Sequence, residues 1–265
     1  MTALMNAQQS IRLTARGTID RRIKPIPFAT DGPLFWYFVG LVATDGCLYQ
    51  DGRHVEITAK EKAYLYTLRK TLNLRSNVYE KKNGRGQIAH HIQICSTLLY
   101  AKLIELGLTP KKSLTIGPLH VPDHGFADFL RGVIDGDGNI RRWRHPTNAR
   151  EQWVLRVYSS SKPFVQWLQE VIERLWNTTG ILHLKKNPAP YQPGYTLKYG
   201  KLAAKTILRQ CYYPGALALE RKRKLAAECV AAPVGWLKSK TVANETERRL
   251  WQYSRKEYVM VGRGG

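Results

Sequence analysis

Two aspartates, each followed by glycine, carry the strongest chemical signal in the sequence: Asp45 in VATDG and Asp137 in IDGDG. Carboxylates gathered at one point bind hard divalent cations, and such cations activate water and neutralise charge on a phosphate under attack. An Asp-Gly pair is also a common helix-to-strand turn, and DGDGNI invites comparison with a calcium loop. The calcium reading fails on spacing: Ile140 stands where an EF-hand loop needs glycine, and Pro146 where it needs glutamate. The simple turn reading fails on repetition. Residues 31–46, DGPLFWYFVGLVATDG, align without gaps on residues 123–138, DHGFADFLRGVIDGDG, at an offset of 92. Asp, Gly, Asp and Gly recur in register, with mostly apolar residues between them.

Both copies read as helices. Asp31 and Asp123 stand where N-caps belong, with Pro33 just inside the first helix. Gly40 precedes Thr44 by one turn, and Gly132 precedes Gly136 likewise. Small residues one turn apart let two helix backbones approach closely. The two helices therefore pack on each other about a pseudo-twofold axis. That packing would set Asp45 beside Asp137 at two helix C-termini, where partial negative charge and mutual repulsion oppose it. A bound divalent cation removes the conflict.

The stretches after each copy also correspond. In the first, HVEITA alternates as a strand, residues 60–74 carry Leu65, Leu68 and Leu72 on one helical face, NVYEKK and HHIQIC flank a hairpin signal at Asn83-Gly84, and residues 97–106 close the unit as a helix. In the second, NIRRWR and QWVLRVY are strands, residues 163–176 a helix, ILHLKK and YTLKY strands around a Pro-rich loop at 188–194, and residues 201–210 the closing helix. The expected fold class is α+β: two pseudo-twofold-related αββαββα repeats. Residues 1–30 form a basic extension, 31–119 and 120–231 the repeats, and 232–265 a tail with a helical stretch near 243–255.

Composition narrows the partner. The formal charge is +22 with a pI near 10.0, and both halves are basic. Charge so spread suits a long polyanion, and nucleic acid leads. Cys47, Cys95, Cys211 and Cys229 make neither a CxxC pair nor a zinc spacing, so they read as reduced thiols in a reducing compartment, either bacterial or archaeal cytoplasm or an organelle. No apolar run approaches the ~20 residues of a membrane span. The basic N-terminal residues fit a transit peptide or a phosphate-contacting arm equally well. The HVPDHG segment at 120–125 carries two histidines beside an acid, a combination expected to be solvated rather than metal-bound.

FVGLVATDG and LRGVIDGDG resemble the paired motifs of the LAGLIDADG homing endonucleases in their single-chain, two-motif form, over roughly residues 31–230. The resemblance implies a saddle of two antiparallel sheets gripping duplex DNA, with both strands cut by phosphodiester hydrolysis. It implies two or three Mg²⁺ at a shared centre (Mn²⁺ or Ca²⁺ taking the same sites), held by Asp45, Asp137 and the backbone carbonyls of Thr44 and Gly136. Ala43 departs from the motif where the second copy has Asp135, which singles out Asp137 as the second ligand. A basic residue after each closing helix, taken as Lys112 and Lys222, would support the attacking water or the developing charge. The family's glutamine at the end of the second strand is replaced by Ala59 and Ser159, with Lys60, Lys62 or Lys162 as compensating candidates. Relatives on this fold include RNA maturases, so the chain's own intron RNA is a second candidate partner, and a non-cleaving DNA-binding protein a third reading. A monomer is expected.

Strand alternation then nominates the DNA-facing side chains. In the first repeat they are Gln50, Arg53, His54, Glu56, Thr58, Asn77, Tyr79, Lys81, His91 and Gln93. In the second they are Asn139, Arg141, Trp143, Arg156, Tyr158, His183, Lys185, Thr196 and Lys198. Some would read base edges in the major groove, others would hold phosphates.

Overall fold

The computed structural model describes residues 26–82, 86–146, 151–185 and 193–233. The first repeat runs α1 (Pro33–Thr44), β1 (Gly46–Leu48), β2 (His54–Ala59), α2 (Lys62–Thr71), β3 (Val78–Lys82), β4 (Ile88–Cys95) and α3 (Thr97–Glu105). The second runs α4 (Asp123–Asp137), β5 (Gly138–Arg144), β6 (Glu151–Ser159), α5 (Lys162–Trp176), β7 (Ile181–Lys185), β8 (Gly194–Gly200) and α6 (Lys201–Cys211), then α7 (Glu220–Ala231). Each repeat builds one antiparallel sheet, in the orders β1-β2-β4-β3 and β5-β6-β8-β7. The expected αββαββα order is thus present twice. The hairpin turn at Asn83-Gly84, most of the 188–194 loop, the N-terminal arm through residue 25 and the 243–255 stretch lie outside the described residues.

The two motif helices form the centre. Residues 35–43 of α1 and most of α4 are buried. Their backbones meet at the paired glycines: a Cβ built on Gly132 would strike the Tyr37 carbonyl oxygen and lie 2.9 Å from the Gly40 Cα. A Cβ on Gly136 would likewise strike Thr44. At Gly40 and Gly132 small residues are required because backbone packs on backbone, with no side chain free to move aside, whereas Gly136 meets the Thr44 side chain.

Three details differ from expectation. Asp31 and Asp123 do not cap: Gly32 is the N-cap of α1, and Asp123 is already the first residue of α4, after Pro122. Their carboxylates turn outward instead. Asp123 takes a bidentate Arg174 at 2.6 and 2.7 Å, and Asp31 meets His124 Nε2 at 3.3 Å. The second helix of the first repeat is shorter than residues 60–74, because Asn73 adopts φ 50° and ends it. Finally, α7 has no apolar stripe to announce it: its buried positions are Lys222, Ala226 and Cys229.

One face of α4 is polar and buried, which nothing in the sequence pattern indicated. Arg131 is fully enclosed, pairing with Asp128 at 2.6 Å and donating to the carbonyls of Leu217 at 2.8 Å and Cys211 at 2.9 Å. Its guanidinium lies over the rings of Tyr37 and Tyr213. One turn on, Asp135 accepts from Tyr37 at 2.7 Å, Tyr212 at 2.6 Å and the Leu219 amide at 2.7 Å. These bonds tie residues 211–219, and so the start of α7, to the central helix. No described helix is long and apolar enough to cross a membrane.

Candidate active site

Asp45 is the C-cap of α1, its amide bonded to the Leu41 carbonyl, while Asp137 is the last residue of α4. Side-by-side helices therefore place both acids at one end of the central pair. Two clefts open there, and each draws on both repeats. One contains Asp45 with Gly136 of the other motif; the second contains Asp137 with Thr44 of the other motif. The acid of one repeat is thus matched with the backbone of its partner.

The two carboxylates are confined together, with two lysines behind them. Burial, with the Asp137 carboxylate next in weight, raises the Asp45 pKa to about 6, although Lys222 and Lys112 pull it down. Burial raises Asp137 as well. Two basic residues sit behind the acids. Lys112, nearly buried, donates to the Gly46 carbonyl. Lys222 donates to the carbonyls of Ile134 at 2.5 Å, Asp135 at 2.6 Å and Gly136 at 3.3 Å. Burial lowers the Lys222 pKa to about 8. An ammonium has three protons, so those of Lys222 are committed to the end of α4. Asp135, by contrast, is buried at the back of the Asp45 cleft: burial raises its pKa and three donors occupy its carboxylate.

The residues fit a divalent cation of the hard class. The donors facing the clefts are oxygens, and two confined carboxylates with raised pKa values gain directly from a cation. Among the described residues no group of three or more His, Cys, Asp or Glu gathers to hold a metal. Two carboxylates plus carbonyls and water suit Mg²⁺, which keeps several waters. The Gly136 carbonyl offers one lone pair, the other being shared with Lys222.

A stability measurement follows. An acid whose pKa is raised on folding costs stability once pH exceeds its unfolded value, and the cost grows until pH passes the folded value. For Asp45 that window runs from 3.8 to about 6. In EDTA at pH 7, Asp45→Asn is expected to melt above the wild type, with the gap closing as pH falls through that window to about 4. An Asn variant that melts lower at pH 7 would contradict the assigned strain.

The nominated sheet residues share the faces turned away from the helices. In the first sheet, register sets Glu56 beside Cys47 and Gln93, Thr58 beside His91, and His91 beside Tyr79. In the second it sets Arg156 between Asn139 and Lys198, and Thr196 between Tyr158 and His183. Lys81, Arg141, Trp143 and Lys185 continue these faces, whereas Gln50, Arg53 and Asn77 lie beside the strands. Glu56 departs from the expected exposure. It is 5% exposed, and its carboxylate accepts from Tyr49 at 2.8 Å, Lys81 at 3.0 Å and Thr58 at 3.2 Å. Its oxygens are taken by neighbours, so it organises the face rather than standing out from it. Burial, then Lys198 and Arg156, lowers the His183 pKa. The 120–125 histidines are exposed: His120 meets the Glu105 carbonyl at 3.0 Å and His124 meets Asp31.

Residues 33–106 match the family model described as a LAGLIDADG-like domain. The first repeat is therefore similar to a LAGLIDADG-like domain. The chain's fold is similar to that of I-WcaI bound to its DNA recognition sequence, at 14% identity and TM-score 0.50, over 69% of this chain and 84% of that one. I-DmoI in complex with DNA and Ca matches at 16% identity and TM-score 0.49, over 76% and 98%. Full-length DUF199/WhiA from Thermatoga maritima matches at 12% identity and TM-score 0.47, over 86% and 67%. No curated protein matches the chain. The motif-helix pair and the two sheets were legible from sequence. The polar stripe of α4 and the ion pair between Glu61 and Arg221, 160 positions apart, were not.

Proposed function

We propose that this protein is a site-specific DNA endonuclease that makes a metal-dependent double-strand break, with Asp45 and Asp137 each serving one strand. The observation that carries this reading is the crossed pairing of acid and backbone in two adjacent clefts at the end of the central helices. Two strands of a duplex run antiparallel, and two clefts related by a pseudo-twofold axis match that symmetry. The +22 charge and the polar sheet faces support a long duplex as substrate.

Asp45 and Asp137 would hold divalent cations, Mg²⁺ by preference, with the carbonyls of Gly136 and Thr44. Such a cation supplies activation of water and neutralisation of charge at the phosphate. The protein's own contribution is positional. The glycine contact fixes the distance between the acids, and Lys222 and Lys112 hold the helix ends while offsetting their negative charge. Arg141, Arg156 and Lys185 would contact phosphates or base edges on the second sheet, and Tyr79 and His91 on the first. The chain would act as a monomer, since one chain contains both motifs.

The test is a pool of plasmids with randomised inserts, taken through rounds of cleavage and recovery. Linear product at a defined sequence is expected with Mg²⁺ and none with EDTA. Absence of linear product in Mg²⁺, or cutting that persists in EDTA, overturns the proposal.

A further inference from the structure

The two clefts are built alike from the motifs but differ in the residues around them. Beside Asp45 lie Lys60, Glu61 and Arg221; beside Asp137 lie Ser113, Ser159 and Ser160, with Lys185 on the sheet edge. Arg221 comes from α7 of the second repeat and reaches into the first, where its Nε donates to Glu61 Oε1 at 2.7 Å. Among the described residues that is its one bond, so the terminal nitrogens of the fork take no other partner, and the side chain is 58% exposed. A guanidinium so held presents the paired donors that suit a phosphate, whereas a lysine offers a point charge.

The pseudo-symmetric position is empty of this function. Lys112 and Lys222 occupy comparable places: Lys112 donates to the Gly46 carbonyl just past α1, and Lys222 to the Ile134, Asp135 and Gly136 carbonyls at the end of α4. The residue before Lys222 is Arg221; the residue before Lys112 is Lys111, which adopts φ 57° and does not line the Asp137 cleft. Glu61 corresponds to Ser161, whose hydroxyl is buried against the Ile116 carbonyl. Among the described residues the positioned guanidinium therefore exists on one side only.

We propose that Arg221, oriented by Glu61, contacts the scissile phosphate in the Asp45 cleft, so that the two DNA strands are cut by chemically unequal sites. The inference rests on the endonuclease reading above and adds a catalytic residue confined to one strand. Arg221 binds the phosphate and offsets charge developing on it; Glu61 is a positioning residue.

The experiment uses the duplex recovered from the plasmid selection, with a different label on each strand, in Mg²⁺. Arg221→Ala is expected to slow one strand about 100-fold, as loss of a single charge-stabilising donor does, and to accumulate nicked product while the other strand is cut at the wild-type rate. Arg221→Lys is expected to restore part of the loss on that strand. Glu61→Gln is expected to slow the same strand by less, because the guanidinium remains. Duplex binding in EDTA should change by less than about threefold for all three, since one phosphate contact is a small share of the total. Equal slowing of both strands, no slowing, or a Glu61→Gln variant that matches Arg221→Ala and melts lower would assign the pair a purely structural role and overturn the inference. A wild type that cuts no plasmid removes the endonuclease reading and this inference together. A wild type that cuts both strands while Arg221→Ala stays symmetric removes only the inference.

Discussion

Asp45→Asn and Asp137→Asn are each expected to reduce double-strand cleavage by about 1,000-fold or more, the scale on which removal of a central catalytic group registers. Asparagine preserves the shape of the side chain at the end of each motif helix but removes the charge that draws a divalent cation. The loss should fall on cleavage alone. On the proposed function both acids face the duplex's phosphates, so removing one negative charge does not weaken phosphate attraction, and target affinity in EDTA should hold or rise slightly. Plasmid linearisation and duplex binding, measured side by side, separate the two effects. A variant of either acid that still linearises the plasmid would show that the crossed clefts are not where the bond is broken. Asp135→Asn is a poor substitute for this test, because Asp135 is locked behind Tyr37, Tyr212 and the Leu219 amide.

The second large effect belongs to Gly132. Gly132→Val is expected to lower folding stability by about 3 kcal/mol or more, at the upper end of what overpacking costs. The added Cβ would run into the Tyr37 carbonyl and stand 2.9 Å from both the Gly40 Cα and the Leu41 nitrogen. All three neighbours are backbone, so relief requires the helices to separate. Separation would also spread Asp45 from Asp137, and any folded fraction should bind a divalent cation less tightly. Gly32→Ala supplies the control: nothing lies within 4 Å of its added Cβ. That change should cost about 1 kcal/mol or less, since Gly32 is the N-cap of α1 and alanine caps less well. Urea midpoints for both variants, with and without Mg²⁺, decide the matter. A Gly132→Val protein as stable as Gly32→Ala would contradict the close helix contact.

The sequence made the centre legible because it was written twice. Gly40 with Gly132 and Asp45 with Asp137 recur at one offset, and only a shared contact explains glycine and acid at the same two places. Strand faces were legible because their period of two is short and local. What stayed hidden was polar and long-range. Arg131 stands between Leu130 and Gly132 in an apolar helix, where a lone charge reads as the solvent side; its burial depends on Asp128, Tyr213 and the Leu217 carbonyl, the last two more than 80 residues on. α7 was missed because its inward stripe begins with a lysine. Glu56 was assigned the correct face but not its burial, since cross-strand partners such as Lys81 appear only once the register is known.

The polar stripe of α4 has a consequence for ancestry and engineering. Its members Asp128, Arg131 and Asp135 align with Trp36, Val39 and Ala43 of α1, and Tyr37, whose ring lies under Arg131 and whose hydroxyl donates to Asp135, aligns with Phe129. Two copies of the second half placed together would face each Arg131 with phenylalanine and leave each Asp135 short of a hydroxyl donor. Two copies of the first half would have no acid or guanidinium to answer their tyrosines. The halves have become lock and key to one another, so neither can be duplicated to replace its sibling. A symmetric version of this scaffold could be made only by rewriting that stripe first.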